Sequence, residues 1–374
     1  MIPLALYIHM PWCVRKCPYC DFNSHTLQGP LLEEDYIAAL IEDLQQEYAF
    51  VENRKLTSIF IGGGTPSLFK AAHYARLFEV IAKMFHWDPA LEVTLEANPG
   101  TLDHQKFKQY RAIGINRLSL GVQSFQNDKL KKLGRIHDAE QTTAAICSAK
   151  EAGFENINLD LMYGLPEQSH EDALYDIERA LSFDVPHLSW YQLTLEPNTV
   201  FYKKPPVLPE EDLLWEMEEL CKNKISSYYT QYEVSAYSKK GFACQHNMNY
   251  WHFGDYLGIG AGAHGKITRE GQIFRRQKVR QPKTYLDPAQ SFLAKSTHLS
   301  KKDRVFEFML NSLRLWEPVT WQLLFERTGL KIHDLKMPLQ QAETQGLLLV
   351  SEDGFETTAL GRRHLNTLQA LFLT

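Results

Sequence analysis

"LALYIHMPWCVRKCPYCDFN", residues 4–23, begins as a short apolar run and ends in three cysteines spaced CxxxCxxC. Cys13, Cys17 and Cys20 are bracketed by Pro11, Trp12, Pro18 and Tyr19. The run at 4–9 is a β-strand by composition, so the cysteines stand on the loop at its carboxyl end. The chain has six cysteines in 374 residues, and the other three (Cys147, Cys221, Cys244) are scattered. That distribution is not the even framework of a secreted disulfide protein; the cluster points to a metal site in a reducing compartment. Two metal chemistries suit the spacing. A structural zinc wants a closed tetrahedron and would recruit His9 or His25 as fourth ligand. An iron–sulfur cubane held by three thiolates leaves one iron open to an outside ligand, which gives a reason for three cysteines and not four.

Outward from this loop, strand-like runs alternate with longer amphipathic ones. Strands are expected at 4–9, 58–63, 92–97, 117–122, 157–162 and 187–195. Between them lie stretches such as LLEEDYIAALIEDLQQEYAF and DLLWEMEELCKNKISSYY, with apolar residues at helical spacing and acidic first turns. This is the pattern of βα units building a parallel sheet. In a barrel-like parallel sheet, functional groups collect at the carboxyl ends of the strands. Those ends carry the cysteines, then Gly62, Gly63, Gly64, Thr65 and Pro66, then Glu96, Gln123 and Asp160. A glycine triplet lets a backbone approach a ligand and offer its N–H groups, or simply makes a tight turn. Each polar side chain alone could be satisfied by backbone. Together at one end of one sheet they mark a site.

The chain is 44% hydrophobic and 23% charged with a net charge of −5, enough for one large core and a smaller second domain. No window approaches the roughly 20 apolar residues of a membrane span, and the apolar start IPLALYIHM lacks a basic flank and a cleavage site. A cytoplasmic protein with at most peripheral membrane contact is expected. Residues 1–265 are expected to form the barrel domain, and 266–298 a basic linker or hairpin. Within the latter, 266–288 carry seven Lys and Arg against two acids. The stretch Gly260 to Lys266 spells GxxxxGK, but Ile267 stands where a phosphate-binding loop needs Ser or Thr, and a hairpin-like sequence follows instead of a helix. Residues 299–374 suggest a small, mostly helical, winged-helix-like domain. Its nine basic and nine acidic residues leave no net positive footprint for nucleic acid, so a lid or partner-docking role is expected.

CxxxCxxC with Tyr19 before the last cysteine, followed by GGGTP at 62–66, resembles the signature of the radical S-adenosylmethionine family. The segments YIHMPWC, CPYCDFNSH, IFIGGGTPS, LEANPG, GVQSF, LGRIH, NLDLMYGLP, LSWYQLTLEPNT and CQHNMNYW extend the resemblance over essentially the whole chain. They narrow it to the oxygen-independent coproporphyrinogen III oxidase-like branch, nearest to its heme chaperones. The resemblance implies an α/β fold, an incomplete (β/α)6 TIM-like barrel with a small, mostly helical C-terminal domain. It implies a 4Fe-4S cluster on Cys13, Cys17 and Cys20. It also implies S-adenosylmethionine held by Tyr7, Tyr19, Gly63, Gly64, Thr65, Glu96, Gln123, Arg135 and Asp160. On that reading the open iron chelates the cofactor's amino and carboxylate groups, and an electron cleaves a C–S bond to give a 5'-deoxyadenosyl radical.

One departure bears on activity. The oxidases carry a further cysteine two residues after the third, where this chain has Phe22, and a longer segment ahead of the cluster. The chaperones share this departure and carry HNxxYW, here His246, Asn247, Tyr250 and Trp251. The resemblance therefore implies a protein without coproporphyrinogen oxidase activity that binds heme through His246, or through Cys244 as a thiolate, and delivers it to respiratory hemoproteins. It further implies an electron donor such as a flavodoxin, and a homodimer as one assembly state. His264 is a second candidate near the heme, and the basic charges of 266–288 are candidates to meet its propionates. A radical decarboxylase of coproporphyrinogen and a zinc-stabilised binding module are the alternatives.

Protein purified without oxygen is expected to be brown and to hold about four irons per chain. Alanine at Cys13, Cys17 or Cys20 should remove them, while alanine at Cys147, Cys221 or Cys244 should not. Metal analysis by mass spectrometry checks this; colourless protein with stoichiometric zinc would refute the cluster.

Overall fold

Polar and apolar residues alternate along the strands of this protein, and the alternation decides which face meets the helices. A computed structural model describes residues 2–51, 53–86, 90–101 and 104–373. Six parallel strands lie close to where the sequence puts them: β1 (Leu4–Met10), β2 (Leu56–Gly63), β3 (Glu92–Ala97), β4 (Arg117–Gln123), β5 (Asn156–Tyr163) and β6 (His187–Gln192). Only β6 stops short of the expected end, because the residues after Gln192 turn to line the mouth of the sheet. Val93 and Leu95, Leu118 and Leu120, Leu159 and Leu161, Leu188 and Trp190 face outward into one continuous core. Between them Glu96, Arg117, Ser119, Asn158, Asp160 and Ser189 face inward. The register puts Ser119 beside both Glu96 and Asn158, and Asp160 beside Ser189.

Helices α1 (Glu33–Tyr48), α2 (Ala71–Met84), α3 (His104–Ala112), α4 (Ala139–Glu151), α5 (His170–Ser182) and α6 (Glu211–Ser226) connect or cover the strands. Capping boxes start two of them, Asp138 with Gln141 at α4 and Ser169 with Asp172 at α5. Beyond β6 the sheet gains β7 (Thr230–Glu233) and β8 (Ala236–Ser238); α7 (Gln245–Trp251) then leads into β9 (Asp255–Ile259), β10 (His264–Arg269), β11 (Gln272–Lys278) and β12 (Leu293–His298). The strand order is β12-β11-β10-β9-β1-β2-β3-β4-β5-β6-β8-β7, with β12 and β7 as its two edges, so the sheet is an open half-barrel.

β9 pairs parallel to β1 as a seventh parallel strand. Of the two readings of 266–298, linker and hairpin, the structure has the hairpin, and its first strand, β10, already begins at His264. The stretch is a hairpin turning at Glu270 and Gly271, with φ of 52° and 73°, plus an edge strand of the same sheet. Three of its basic residues, Lys266, Arg276 and Lys278, are buried. Lys266 Nζ meets Asp255 Oδ1 at 2.8 Å, Arg276 pairs with Glu47 at 2.8 Å, and Lys278 bonds Asp43 and Glu47. These three charges are spent on α1 and β9 and are not free for heme propionates or phosphates, whereas Arg269, Arg280 and Lys283 stay exposed; Lys266 lies on a strand where no phosphate loop forms.

Residues 299 onward form α8 (Lys301–Ser312), β13 (Val319–Thr320), α9 (Trp321–Thr328), α10 (Lys336–Thr344), β14 (Leu348–Val350), β15 (Gly354–Thr357), α11 (Ala359–Arg363) and α12 (Leu365–Ala370). The small sheet has the order β13-β15-β14. The last two helices, α11 and α12, are separated at His364. A second core holds Phe308, Leu324, Leu339, Phe355 and Leu368, and takes in Phe253 and Ile273 from the half-barrel side. No helix among the described residues is long and apolar enough to cross a membrane.

Asp43 and Lys278 are both buried, and removing one partner strands the other. Lys278→Met is expected to cost about 3 kcal/mol in urea unfolding. A loss under about 1 kcal/mol would place the ion pair among those that contribute little.

Candidate functional site

The cysteine loop is held from both sides before any ligand is considered. Asn23 Nδ2 donates to the carbonyls of Ala261 and Arg280, each at 2.9 Å, tying the loop to the β9–β10 turn and the residues after β11. The Asn23 carbonyl lies 2.9 Å from His9 Nε2. Lys16 Nζ donates to the carbonyls of Phe22 and Ser24 at 3.0 and 3.1 Å, folding the loop onto itself. Phe201 N–H donates to the Pro18 carbonyl at 3.0 Å.

Each thiol has a polar side chain within reach. Thr65 Oγ1 donates to Cys13 Sγ at 3.4 Å, Ser24 Oγ lies 3.6 Å from Cys20 Sγ, and Arg135 Nη1 donates to Cys17 Sγ at 3.7 Å. Burial pushes the Cys13 and Cys20 thiols up, and the hydroxyls of Thr65 and Ser24 pull the other way. All three thiols line one cavity of about 490 Å³ at the carboxyl ends of the strands. Hydroxyl and guanidinium donors suit thiolates, so the donor set fits a cluster held by three cysteines. Zinc fits poorly. His9 commits both ring nitrogens, to the Asn23 carbonyl and to the Tyr7 hydroxyl at 2.9 Å, and His25 does not line the cavity. Among the described residues no three His, Cys, Asp or Glu side chains converge on a point that one metal ion could occupy.

Eight of the nine residues implied for the cofactor line this same cavity: Tyr19, Gly63, Gly64, Thr65, Glu96, Gln123, Arg135 and Asp160. Tyr7 does not. It lies deeper, against an inner chamber under the site. The glycine triplet also works differently from the expectation that its N–H groups serve a ligand. Those of Gly64 and Thr65 donate to the carbonyls of Met10 and Trp12, at 2.7 and 2.8 Å. That of Gly63 donates to Glu96 Oε2 at 3.0 Å. A Cβ on Gly64 would sit 2.6 Å from the Trp12 carbonyl oxygen, and Gly63 has φ +111° with its Cβ position 2.5 Å from the His9 ring. The glycines let the turn seat on the cysteine loop.

Gln123 occupies a left-handed conformation, φ 69°, where the β4–β5 register shifts. The irregularity re-aims the strand end, and Gln123 Oε1 accepts from the Tyr191 hydroxyl at 3.0 Å. Asp160 accepts from Ser119 Oγ at 2.9 Å and Asn158 Nδ2 at 2.8 Å. Burial first, and then the charge of Asp160, push the Glu96 carboxyl up to about 8. Sequence reasoning missed Ser189 and Tyr191, which line the cavity. Their signal was period-2 alternation along "HLSWYQ", where Leu188 and Trp190 take the opposite face.

The two candidate heme ligands are corrected. His246 is 1% exposed, its Nδ1 lies 3.0 Å from Ser58 Oγ, and it lines the inner chamber of only about 230 Å³ at the amino-terminal end of β2. A macrocycle does not fit in such a space, which is below the roughly 300–1,000 Å³ of ordinary ligand pockets. Burial, and then Arg117, hold its imidazole neutral with a pKa lowered to about 3. Cys244 is fully buried, its thiol donates to Glu92 Oε1 at 3.6 Å, and burial drives its pKa up to about 12, so it is a thiol and no thiolate ligand. His264 lies at the start of β10 and lines neither cavity.

Residues 7–180 match the family model of the radical SAM superfamily, and residues 299–364 match that of the HemN C-terminal domain. The chain is 48% identical to the heme chaperone HemW of Haemophilus influenzae, over 100% of this chain and 98% of that protein. It is 45% identical to the heme chaperone HemW of Escherichia coli, over 99% of this chain and 98% of that one. Among solved structures it is similar to the coproporphyrinogen III oxidase HemN of Escherichia coli, a radical SAM enzyme, with a TM-score of 0.85 and 23% identity over 100% of this chain and 90% of that one. At that identity the likeness bears on the fold alone.

With its carboxyl raised to about 8, Glu96 is protonated at neutral pH and ionises above it. If its carboxylate accepts from the cofactor's iron-bound amine or ribose hydroxyls, S-adenosylmethionine should bind cluster-loaded protein more tightly as pH rises from about 7 to about 9, by up to about tenfold from this group. Calorimetric Kd values across that range read this, and Glu96→Gln should flatten the profile by that amount.

Proposed function

Because this chain belongs to the HemW family of radical SAM proteins, we propose that it binds heme and hands it to a recipient hemoprotein, with a 4Fe-4S cluster on Cys13, Cys17 and Cys20 and S-adenosylmethionine beside it. The observation that carries this reading is the convergence, at one mouth, of the three thiols, the glycine turn, Glu96, Arg135 and Asp160. When bound, the cluster would supply the electron for reductive cleavage of the sulfonium. The chain's own residues do the rest. Thr65, Ser24 and Arg135 donate toward the sulfurs, Glu96 and Asp160 are placed for ammonium or ribose hydroxyls, and the outward-packed strands keep bulk water from the lumen.

Phe22 favours chaperone over oxidase. It is 59% exposed at the rim, and with Ile136 (43% exposed) and Arg15 it gives the cavity mouth an apolar and cationic edge, chemistry suited to a porphyrin face and its carboxylates. Recipients of the respiratory class, a flavodoxin-like electron donor, a cytoplasmic setting and a dimeric state belong to the same proposal.

Reconstituted protein given reductant, S-adenosylmethionine and coproporphyrinogen should release no carbon dioxide above background. The same protein should bind hemin with a Soret band and transfer it to an apo-hemoprotein. The Cys13→Ala, Cys17→Ala, Cys20→Ala triple variant should keep the band and lose the transfer. Decarboxylation without heme binding would reverse the assignment.

A further inference from the structure

Beneath the cofactor site lies the inner chamber of about 230 Å³, lined by a buried guanidinium that, among the described residues, makes no ion-pair contact. Arg117 is 2% exposed; its Nε has no hydrogen-bond partner, and among the described residues no carboxylate pairs with its guanidinium. Burial disfavours its charge, and Cys244, Glu92 and Asp160 around it hold that charge in place at longer range, but its donors lack a direct acceptor. Glu92, the acid on the neighbouring strand, is committed to the Cys244 thiol and to the N–H groups of Gln245 and His246, at 3.1 and 3.2 Å for the latter two. His246 adds a second unsatisfied group. Its Nε2 is buried and has no partner, and it carries the ring hydrogen in the tautomer whose Nδ1 accepts from the Ser58 hydroxyl. Both side chains line the chamber, and the chamber shares Glu96, Ser119, Asp160 and Ser189 with the mouth cavity above it.

We propose that the inner chamber is a carboxylate site, in which Arg117 and His246 Nε2 grip a propionate arm of the heme while the macrocycle stays in the mouth cavity. This rests on the heme-binding reading above. A guanidinium with an imidazole N–H beside it is a charge-assisted pair of donors for one carboxylate. The volume corresponds to about eight waters at roughly 30 Å³ each, enough for a carboxylate on two methylenes and far too small for a porphyrin. Burial lowers the negative charge at the neck: it pushes the Glu96 carboxyl up to about 8, so that Glu96 is uncharged near neutral pH, and it also raises Asp160, against the hydrogen bonds from Asn158 and Ser119. The assignment gives the HNxxYW histidine a role in heme binding that needs no bond to iron. Arg117, on a different strand, becomes its partner.

The test compares hemin with hemin dimethyl ester, whose propionates are blocked, by Soret titration of the full-length protein, with sodium propionate in a thermal-shift assay as a separate arm. Wild type should bind hemin at least tenfold more tightly than the ester. Arg117→Met should erase that preference and Arg117→Lys should retain most of it, and both should keep wild-type iron content and far-UV circular dichroism as evidence of an intact barrel. If hemin and ester bind wild type equally but sodium propionate raises the Tm of wild type and not of Arg117→Met, the carboxylate site stands with a free small acid as its occupant. Equal binding with no propionate effect overturns the proposal. Failure of wild type to bind hemin at all removes the chaperone reading instead, and the propionate arm alone then decides the chamber.

Discussion

The constraint on which this structure depends is the inversion of its half-barrel: apolar side chains of the parallel strands face the helices, and polar ones face the lumen. Outward burial of Val93, Leu95, Leu118, Leu120, Leu159 and Leu188 drives the fold, at about 1.5–3 kcal/mol for each side chain fully withdrawn from water. The inward rows then have to satisfy one another. His187 shows how. Its Nδ1 lies 2.6 Å from Asn158 Oδ1 and its Nε2 lies 2.8 Å from the Tyr232 hydroxyl, while Asn158 Nδ2 donates to Ser119 Oγ and Asp160 Oδ1. A network of this kind is rigid when complete. Where it is incomplete, at Arg117 and His246, the shortage lies against open space.

That inversion explains the chemistry available at the mouth. A lumen filled by branched aliphatics would leave only the loops to carry function, whereas here the strand ends themselves present Glu96, Gln123 and Asp160 under the cysteine loop. The loop is positioned by the rest of the sheet. Asn23 anchors it to β9 and β11 neighbours, and the Gly63–Gly64 turn seats beneath Trp12 and Met10 because no Cβ fits there. The buried acids and bases at the far edge serve the same end. Asp43 ties α1 to the Gly260 amide, the Tyr285 hydroxyl and Lys278, holding the β9–β10 turn on which Asn23 depends.

Two spaces therefore divide the site. The upper one is wide, half-lined by thiols and glycine turn, and rimmed by Phe22, Ile136 and Arg15. The lower one is small, enclosed and polar, closed from beneath by α7, which packs on β1 and β2. Their shared walls, Glu96 and Asp160 among them, couple the protonation of the upper site to the charge of the lower.

Much of this was legible in the amino-acid order alone. The CxxxCxxC spacing, the glycine turn and the six strand positions are local patterns, set by thiolate geometry and by the period of a pleated strand, and each carries its meaning within a few residues. The convergence of Cys13, Gly64, Glu96, Gln123 and Asp160 followed from the rule that parallel strands share a carboxyl end. What the sequence could not decide was exposure. His246 and Cys244 look like ligands because their chemistry is right, but α7 plugs the half-barrel and buries both. Lys266, Arg276 and Lys278 look like a solvated basic segment, yet the pairing of β10 and β11 with the main sheet turns them onto Asp255, Glu47 and Asp43. Tyr7 stands on the first strand beside the cluster but one layer below it. In each case the deciding quantity is which side of a twelve-stranded sheet a residue faces and what packs against it, a long-range fact that depends on strand order and not on neighbours in sequence.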